Sequence, residues 1–216
     1  MLTVKQLTFS PFQENTYVIY NDQGWSAIVD PGCYFPEERA QLKGFINKTG
    51  LEPKFLLNTH CHLDHVFGAQ FVHTSYQLAM HLHSLEQPVL DHSPLSGEKW
   101  GVPFDPYAGP KIYLEEGDLV KMGNDELKVI FTPGHSPGSI SFYCEKQGFV
   151  LSGDVLFRLG IGRTDLPGGS YETLEQSILS KLYQLPNETL VYSGHGPVTT
   201  IGYEKEHNPF VSYANR

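Results

Sequence analysis

The chain reads as an α/β protein, an αββα sandwich of two mixed β-sheets with helices on the outer faces, in a single domain spanning residues 1–216. Three observations predict this. Strand-like runs come first as a meander and later alternate with helical runs, which suits two sheets packed face to face with helices outside. The two halves repeat this logic, with His- and Asp-bearing turns at strand ends that are Gly-rich in the second half. A length of 216 residues suits one large layered domain and is short for two.

In chain order, Leu2 to Phe9, Thr16 to Tyr20 and Trp25 to Val29 are strand-like, and Asn21-Asp22-Gln23-Gly24 has the composition of a hairpin turn. Pro36-Glu37-Glu38 opens a helix with Pro and acids in its first turn. Leu42, Phe45, Ile46 and Thr49 then recur at helical spacing, and Lys48 with Gly50 closes the element. Phe55 to Asn58 is a short buried strand, and Asp64 to Val72 reads as one helix with Asp64 at its N-terminus. In the second half Leu127 to Thr132, Ile140 to Cys144 and Phe149 to Ser152 read as strands. Leu174, Ile178, Leu182 and Leu185 mark a helix before a strand at Leu190 to Tyr192. The stretch from Pro88 to Pro110 has no clean periodicity. It reads as a long loop, either a lid or the cover of a satellite core formed by Trp100, Phe104 and Tyr107.

The run Thr59-His60-Cys61-His62-Leu63-Asp64-His65 places four potential metal ligands in six positions, directly after an apolar strand. Imidazole with carboxylate favours zinc or iron. His135 in Pro133-Gly134-His135, Asp154 in Ser152-Gly153-Asp154 and His195 in Ser193-Gly194-His195 complete seven candidates. A loop leaving a strand can turn His60 and His62 toward one ion while Asp64 and His65 face a second. Asp154, alone on its turn, is the natural bridge. Adjacent side chains leaving a strand point in roughly opposite directions, so Cys61 is predicted not to bind metal. His73, His81, His83, His92 and His207 are assigned surface or packing roles, His81 and His83 alternating as on a strand facing water.

The ordered set resembles the metallo-β-lactamase superfamily of hydrolases, and the likeness runs through the whole chain. Gly153-Asp154-Val155-Leu156-Phe157, Gly162-Arg163-Thr164-Asp165 and the segment from Thr199 to Phe210 resemble the small, single-domain glyoxalase II-like group. The resemblance implies hydrolysis of a hydroxyacyl thioester such as S-lactoylglutathione, with two divalent ions, zinc foremost and iron or manganese as alternatives. A metal-bridging hydroxide would attack, with Asp64 and Asp154 as the catalytic carboxylates. Arg163 and Asp165 either contact substrate or pair with each other across the turn. A persulfide dioxygenase, with one iron on His60, His135 and Asp154, is the alternative, and a metal-binding module without turnover is a third reading.

Composition narrows the partners. A net charge of −9 lacks the clustered Lys and Arg that nucleic acid requires, so a small-molecule substrate is predicted. No apolar stretch approaches the ~18 residues of a membrane span. The N-terminal run lacks the layout of a signal peptide, and three scattered cysteines, Cys33, Cys61 and Cys144, suit reduced thiols. Both predict a cytoplasmic protein.

Overall fold

In the computed structural model, which describes residues 1–211, the first half of the chain builds a six-stranded mixed sheet. Its strands are β1 (Leu2–Phe9), β2 (Glu14–Asn21), β3 (Trp25–Val29), β4 (Glu52–Leu57), β5 (Met80–Leu82) and β6 (Lys111–Tyr113), hydrogen-bonded in chain order. The first three form an antiparallel meander, while β3 to β6 pair in parallel. Parallel neighbours need crossovers. These are α1 (Pro36–Thr49), then the pair α2 (Leu63–Val66) and α3 (Ala69–Tyr76), then α4 (Gln87–Lys99).

The second half builds another six-stranded sheet from β7 (Leu119–Met122), β8 (Asp125–Phe131), β9 (Ile140–Cys144) and β10 (Phe149–Gly153). A small hairpin follows, β11 (Leu156–Phe157) with β12 (Gly160–Ile161). Helix α5 (Tyr171–Ser180) leads to β13 (Leu190–Ser193) and β14 (Thr199–Thr200), and α6 (Ile201–His207) follows. The order across the sheet is β14-β13-β10-β9-β8-β7, with β10 and β13 parallel and the other pairs antiparallel. The predicted sandwich is therefore present. Among the described residues no helix is long and apolar enough to cross a membrane.

Alternation along the strands sorts the interior into three layers. Tyr17, Ile19, Ala27, Val29 and Leu57 of the first sheet meet Leu127, Val129, Phe142 and Leu151 of the second between the sheets. The intervening residues Val18, Ile28 and Leu56 face Leu42, Ile46, Val72 and Leu90 of the first-half helices. Ile130, Val150 and Val191 face Leu174, Ile178 and Ile201 on the other side. Each fully buried aliphatic side chain contributes roughly 1.5–3 kcal/mol.

Three elements depart from expectation, the mildest being the helix marked by Leu174, Ile178, Leu182 and Leu185, which ends at Ser180 and leaves Leu182 in a separate 3-10 turn. The single helix from Asp64 to Val72 is instead α2 and α3, broken at Phe67 and Gly68. Here the chain passes so close to residues 31–33 that Gly68 N donates to Pro31 O at 2.7 Å, and a Cβ at Gly68 would stand 2.3 Å from Cys33 Sγ. The first part of the segment from Pro88 to Pro110 is not a loop but α4. Pro88 fits its first turn. Pro94 removes the N–H that would bond Leu90 O, and Ser93 Oγ donates to that carbonyl instead, at 2.8 Å. Beyond α4, Phe104 and Tyr107 do pack on the core, whereas Trp100 stays 61% exposed. His81 and His83 do not simply face water either. His81 is half-buried edge-on to Phe55 and His83 stacks on Phe131.

Candidate metal centre

All seven sequence-predicted residues sit at one end of the two sheets. His60, His62, Asp64 and His65 follow β4, His135 lies between β8 and β9, Asp154 follows β10, and His195 follows β13. The parallel pairing of β10 with β13 brings the last two turns together, and Gly194 N donates to Gly153 O at 2.9 Å. Glu14 and His195 form an isolated bridge, and Asn15 N donates to Gly194 O at 2.7 Å, which draws the first sheet to the same edge.

One donor from each of His60, His62 and His135 lies within 4.8 Å of the others, and the same holds for Asp64, His65 and His195. Asp154 stands between. Its Oδ2 is 3.6 Å from both His135 Nε2 and His195 Nε2, and its Oδ1 is 3.4 Å from His65 Nε2. His195 Nε2 lies 3.1 Å from Asp64 Oδ2. Cys61 joins neither group and is fully buried against the α-side core.

The hydrogen bonds assign the tautomers. His135 Nδ1 is 2.7 Å from Arg163 O, a pure acceptor, so Nδ1 carries the proton and Nε2 presents a lone pair. Thr59 Oγ1 donates to Asp30 Oδ2 at 2.6 Å and so accepts from His60 Nδ1 at 3.1 Å. His60 Nε2 and His135 Nε2 then face each other, lone pair to lone pair, at 3.2 Å. Two such atoms repel unless a cation lies between them. Tetrahedral nitrogens on zinc are ~3.3 Å apart, so the spacing suits an ion.

Charge supports the same fit. Burial, with His65 and His135 alongside, holds His60 well below the usual imidazole range. Burial likewise pushes His62 down to about 3, so both are neutral donors at pH 7. For Asp154 burial acts upward, but the neighbouring His65, His135 and His195 together outweigh it and keep the carboxylate ionised. For His65 burial acts downward, but Asp154, Asp64 and Asp30 together outweigh it, a carboxylate field that favours positive charge at this position and that a bound cation, displacing the ring proton, would meet instead. His65 Nε2 and Asp154 Oδ1 are buried without a hydrogen-bond partner. A divalent cation satisfies both.

Residues 9–195 match the family model of the metallo-beta-lactamase superfamily. The chain belongs to that superfamily. It is 35% identical over 213 residues to the hydroxyacylglutathione hydrolase GloC of Haemophilus influenzae, covering 98% of this chain and 99% of that one. Among solved structures, the BLEG-1 B3 metallo-beta-lactamase aligns with a TM-score of 0.88 at 39% identity, over 97% of this chain and 99% of that one. TTHA1623 in a di-iron-bound form aligns with a TM-score of 0.86 at 39% identity, over 96% and 100%.

Sequence reasoning missed the acids that position this superfamily site. Asp30, in the left-handed region at φ 48, takes Thr59 N on Oδ1 at 2.7 Å and lies 3.2 Å from His65 Nδ1. Buried Glu14 takes Thr16 Oγ1 at 2.8 Å. Glu86, fully buried just ahead of α4, takes Cys61 N on Oε2 at 2.8 Å, and Ser136 Oγ and Gly138 N on Oε1 at 2.5 and 2.7 Å. It ties the His60–His62 loop to the His135 loop. Glu86→Gln puts an amide NH₂ against an N–H donor. It is expected to cost about 1–3 kcal/mol of stability and to weaken metal retention about 10–100-fold. Thermal melting with chelator competition reads both, and unchanged values would show that Glu86 does not hold the loops.

Five of the seven donors, His62, Asp64, His135, Asp154 and His195, line a cleft of about 660 Å³ that Arg163 also lines, whereas Asp165 does not. Arg163 Nε and Nη2 donate to the two Asp165 oxygens, each at 2.7 Å, and both side chains are exposed. Of the two expectations for these residues, the pairing is what the geometry displays, and it is the Arg163 backbone carbonyl that serves His135. His92, assigned a surface or packing role, is exposed but borders this cleft.

Proposed function

We propose that the chain is a dinuclear metallohydrolase that cleaves small-molecule thioesters. The observation that carries this reading is Asp154, one carboxylate equidistant at 3.6 Å from a histidine of each triad, at the floor of an open cleft. His60, His62 and His135 would hold one ion, and Asp64, His65 and His195 the other, with Asp154 shared. Zinc suits this imidazole-rich set, and the di-iron form of TTHA1623 makes iron the metal to test beside it. When bound, two divalent ions lower the pKa of a water from ~15.7 to ~7 and polarise a carbonyl.

The residues of the chain would hold and space the ions. Asp30 fixes Thr59 and through it His60, and Arg163 O fixes His135. In the reaction a water oxygen bonds to the acyl carbon and the C–S bond breaks. One water proton goes to the departing thiolate and the other leaves with the carboxylic acid. A thiolate departs with little acid assistance, so no protein acid is required. The likeness to GloC supports a thioester and makes S-lactoylglutathione the reference substrate.

A mononuclear iron site on His60, His135 and Asp154 would leave the convergence of Asp64, His65 and His195 without a role, which favours the two-ion reading over a dioxygenase. The open cleft favours turnover over a binding module. Thioester hydrolysis is expected to rise with pH through an apparent pKa near ~7 and then level off. A pH–rate profile on metal-loaded protein checks this. Oxygen uptake with glutathione persulfide in place of hydrolysis would overturn it.

A further inference from the structure

We propose that the wall of the cleft formed by α4 binds the apolar chain of a neutral thioester, so that the preferred substrate is not an anionic thiol conjugate. This rests on the thioesterase reading above and narrows it. Helix α4 turns Pro88, His92 and Ser96 toward the cleft, and Trp100, the residue that caps its C-terminus, follows on the same side. These lie four positions apart, which places them along one face of the helix. Phe12 meets the Trp100 ring edge-on, with centroids 6.4 Å apart, and Leu166 lines the cleft as well.

Two features identify the occupant. Trp100 is 61% exposed although it borders the cleft that holds the metal donors, so an apolar ligand seated there would cover a large indole surface. Among the described residues lining the cleft the single Arg or Lys is Arg163, and its guanidinium fork is already taken up by Asp165. A glutathione moiety carries two carboxylates, which would stand against this wall without a cationic partner, a costly arrangement once water is excluded. A chain of methylenes meets no such penalty. A cleft of about 660 Å³ is large enough for one.

The apolar chain could belong to the acyl or the thiol side, and two substrate series separate them. The metal-loaded protein is assayed for kcat/KM with acetyl to octanoyl thioesters of N-acetylcysteamine, then with acetyl thioesters of ethanethiol to octanethiol, with S-lactoylglutathione alongside. One series is expected to rise by up to about fourfold per added methylene, the factor for full burial, over several carbons, and that series names the side that the wall receives. Trp100→Ala, at an exposed position, is expected to flatten the slope by lowering the longest substrates most. Ser96→Trp, which narrows the cleft from the same helix face, is expected to shorten the longest chain accepted. Flat responses in both series with hydrolysis present, or S-lactoylglutathione exceeding every neutral thioester, would overturn the inference and leave the thioesterase reading standing. Absence of hydrolysis on every thioester would overturn both.

Discussion

Asp154→Ala is expected to lose both ions and to lower thioester turnover by at least about 100-fold, since groups that merely orient ligands already cost about 10–100-fold. The carboxylate lies within 3.6 Å of His135, His65 and His195, so its removal takes one donor from each position at once. It also leaves His65, fully buried, without the carboxylate oxygen that lies 3.4 Å from its Nε2. Asp154→Asn keeps the volume and removes the charge, which separates ligation from packing. Elemental analysis of the purified variants reads the outcome. Full metal content in Asp154→Ala, with activity intact, would place the ions elsewhere.

Gly194→Ala is the second change with a large expected effect, although it adds one methyl group and removes no donor. A Cβ at Gly194 would stand 2.1 Å from Asp154 Oδ1 and 2.7 Å from His65 Cε1, far inside contact distance. The backbone cannot retreat easily, because Gly194 N donates to Gly153 O and Gly194 O accepts from Asn15 N. The shared carboxylate and the His65 ring must therefore move. Metal content and turnover are expected to fall together, while the sheets, whose cores lie away from this turn, keep their cooperative melting. A Gly194→Ala protein with normal metal load and rate would mean that the Asp154 turn has room that the geometry does not give it.

The sequence exposed the donor set because it is local or punctuated. His60 to His65 form one run, and His135, Asp154 and His195 each sit in a Gly-marked turn at a strand end. The two-sheet architecture was legible for a related reason, since strand periodicity and the capped helix α1 are short-range signals. The acids that orient the donors carried no such mark. Asp30 and Glu86 reach the metal loop from distant points in the chain, and an isolated acid in a sequence does not announce three buried hydrogen bonds. Helix α4 was hidden by its prolines, because the substitution of Ser93 Oγ for a lost backbone donor is visible only in three dimensions. The break between α2 and α3 depends on the approach of residues 31–33 to Gly68, a contact that local periodicity cannot encode.

The most direct test of the two-ion account is a titration of chelator-stripped protein with zinc, and separately with iron, following thioester hydrolysis at each step. Two convergent triads around one shared carboxylate lead to turnover that reaches its maximum at two equivalents of metal per chain. Full turnover at one equivalent, with the second equivalent silent, or no hydrolysis at any metal load, would contradict it.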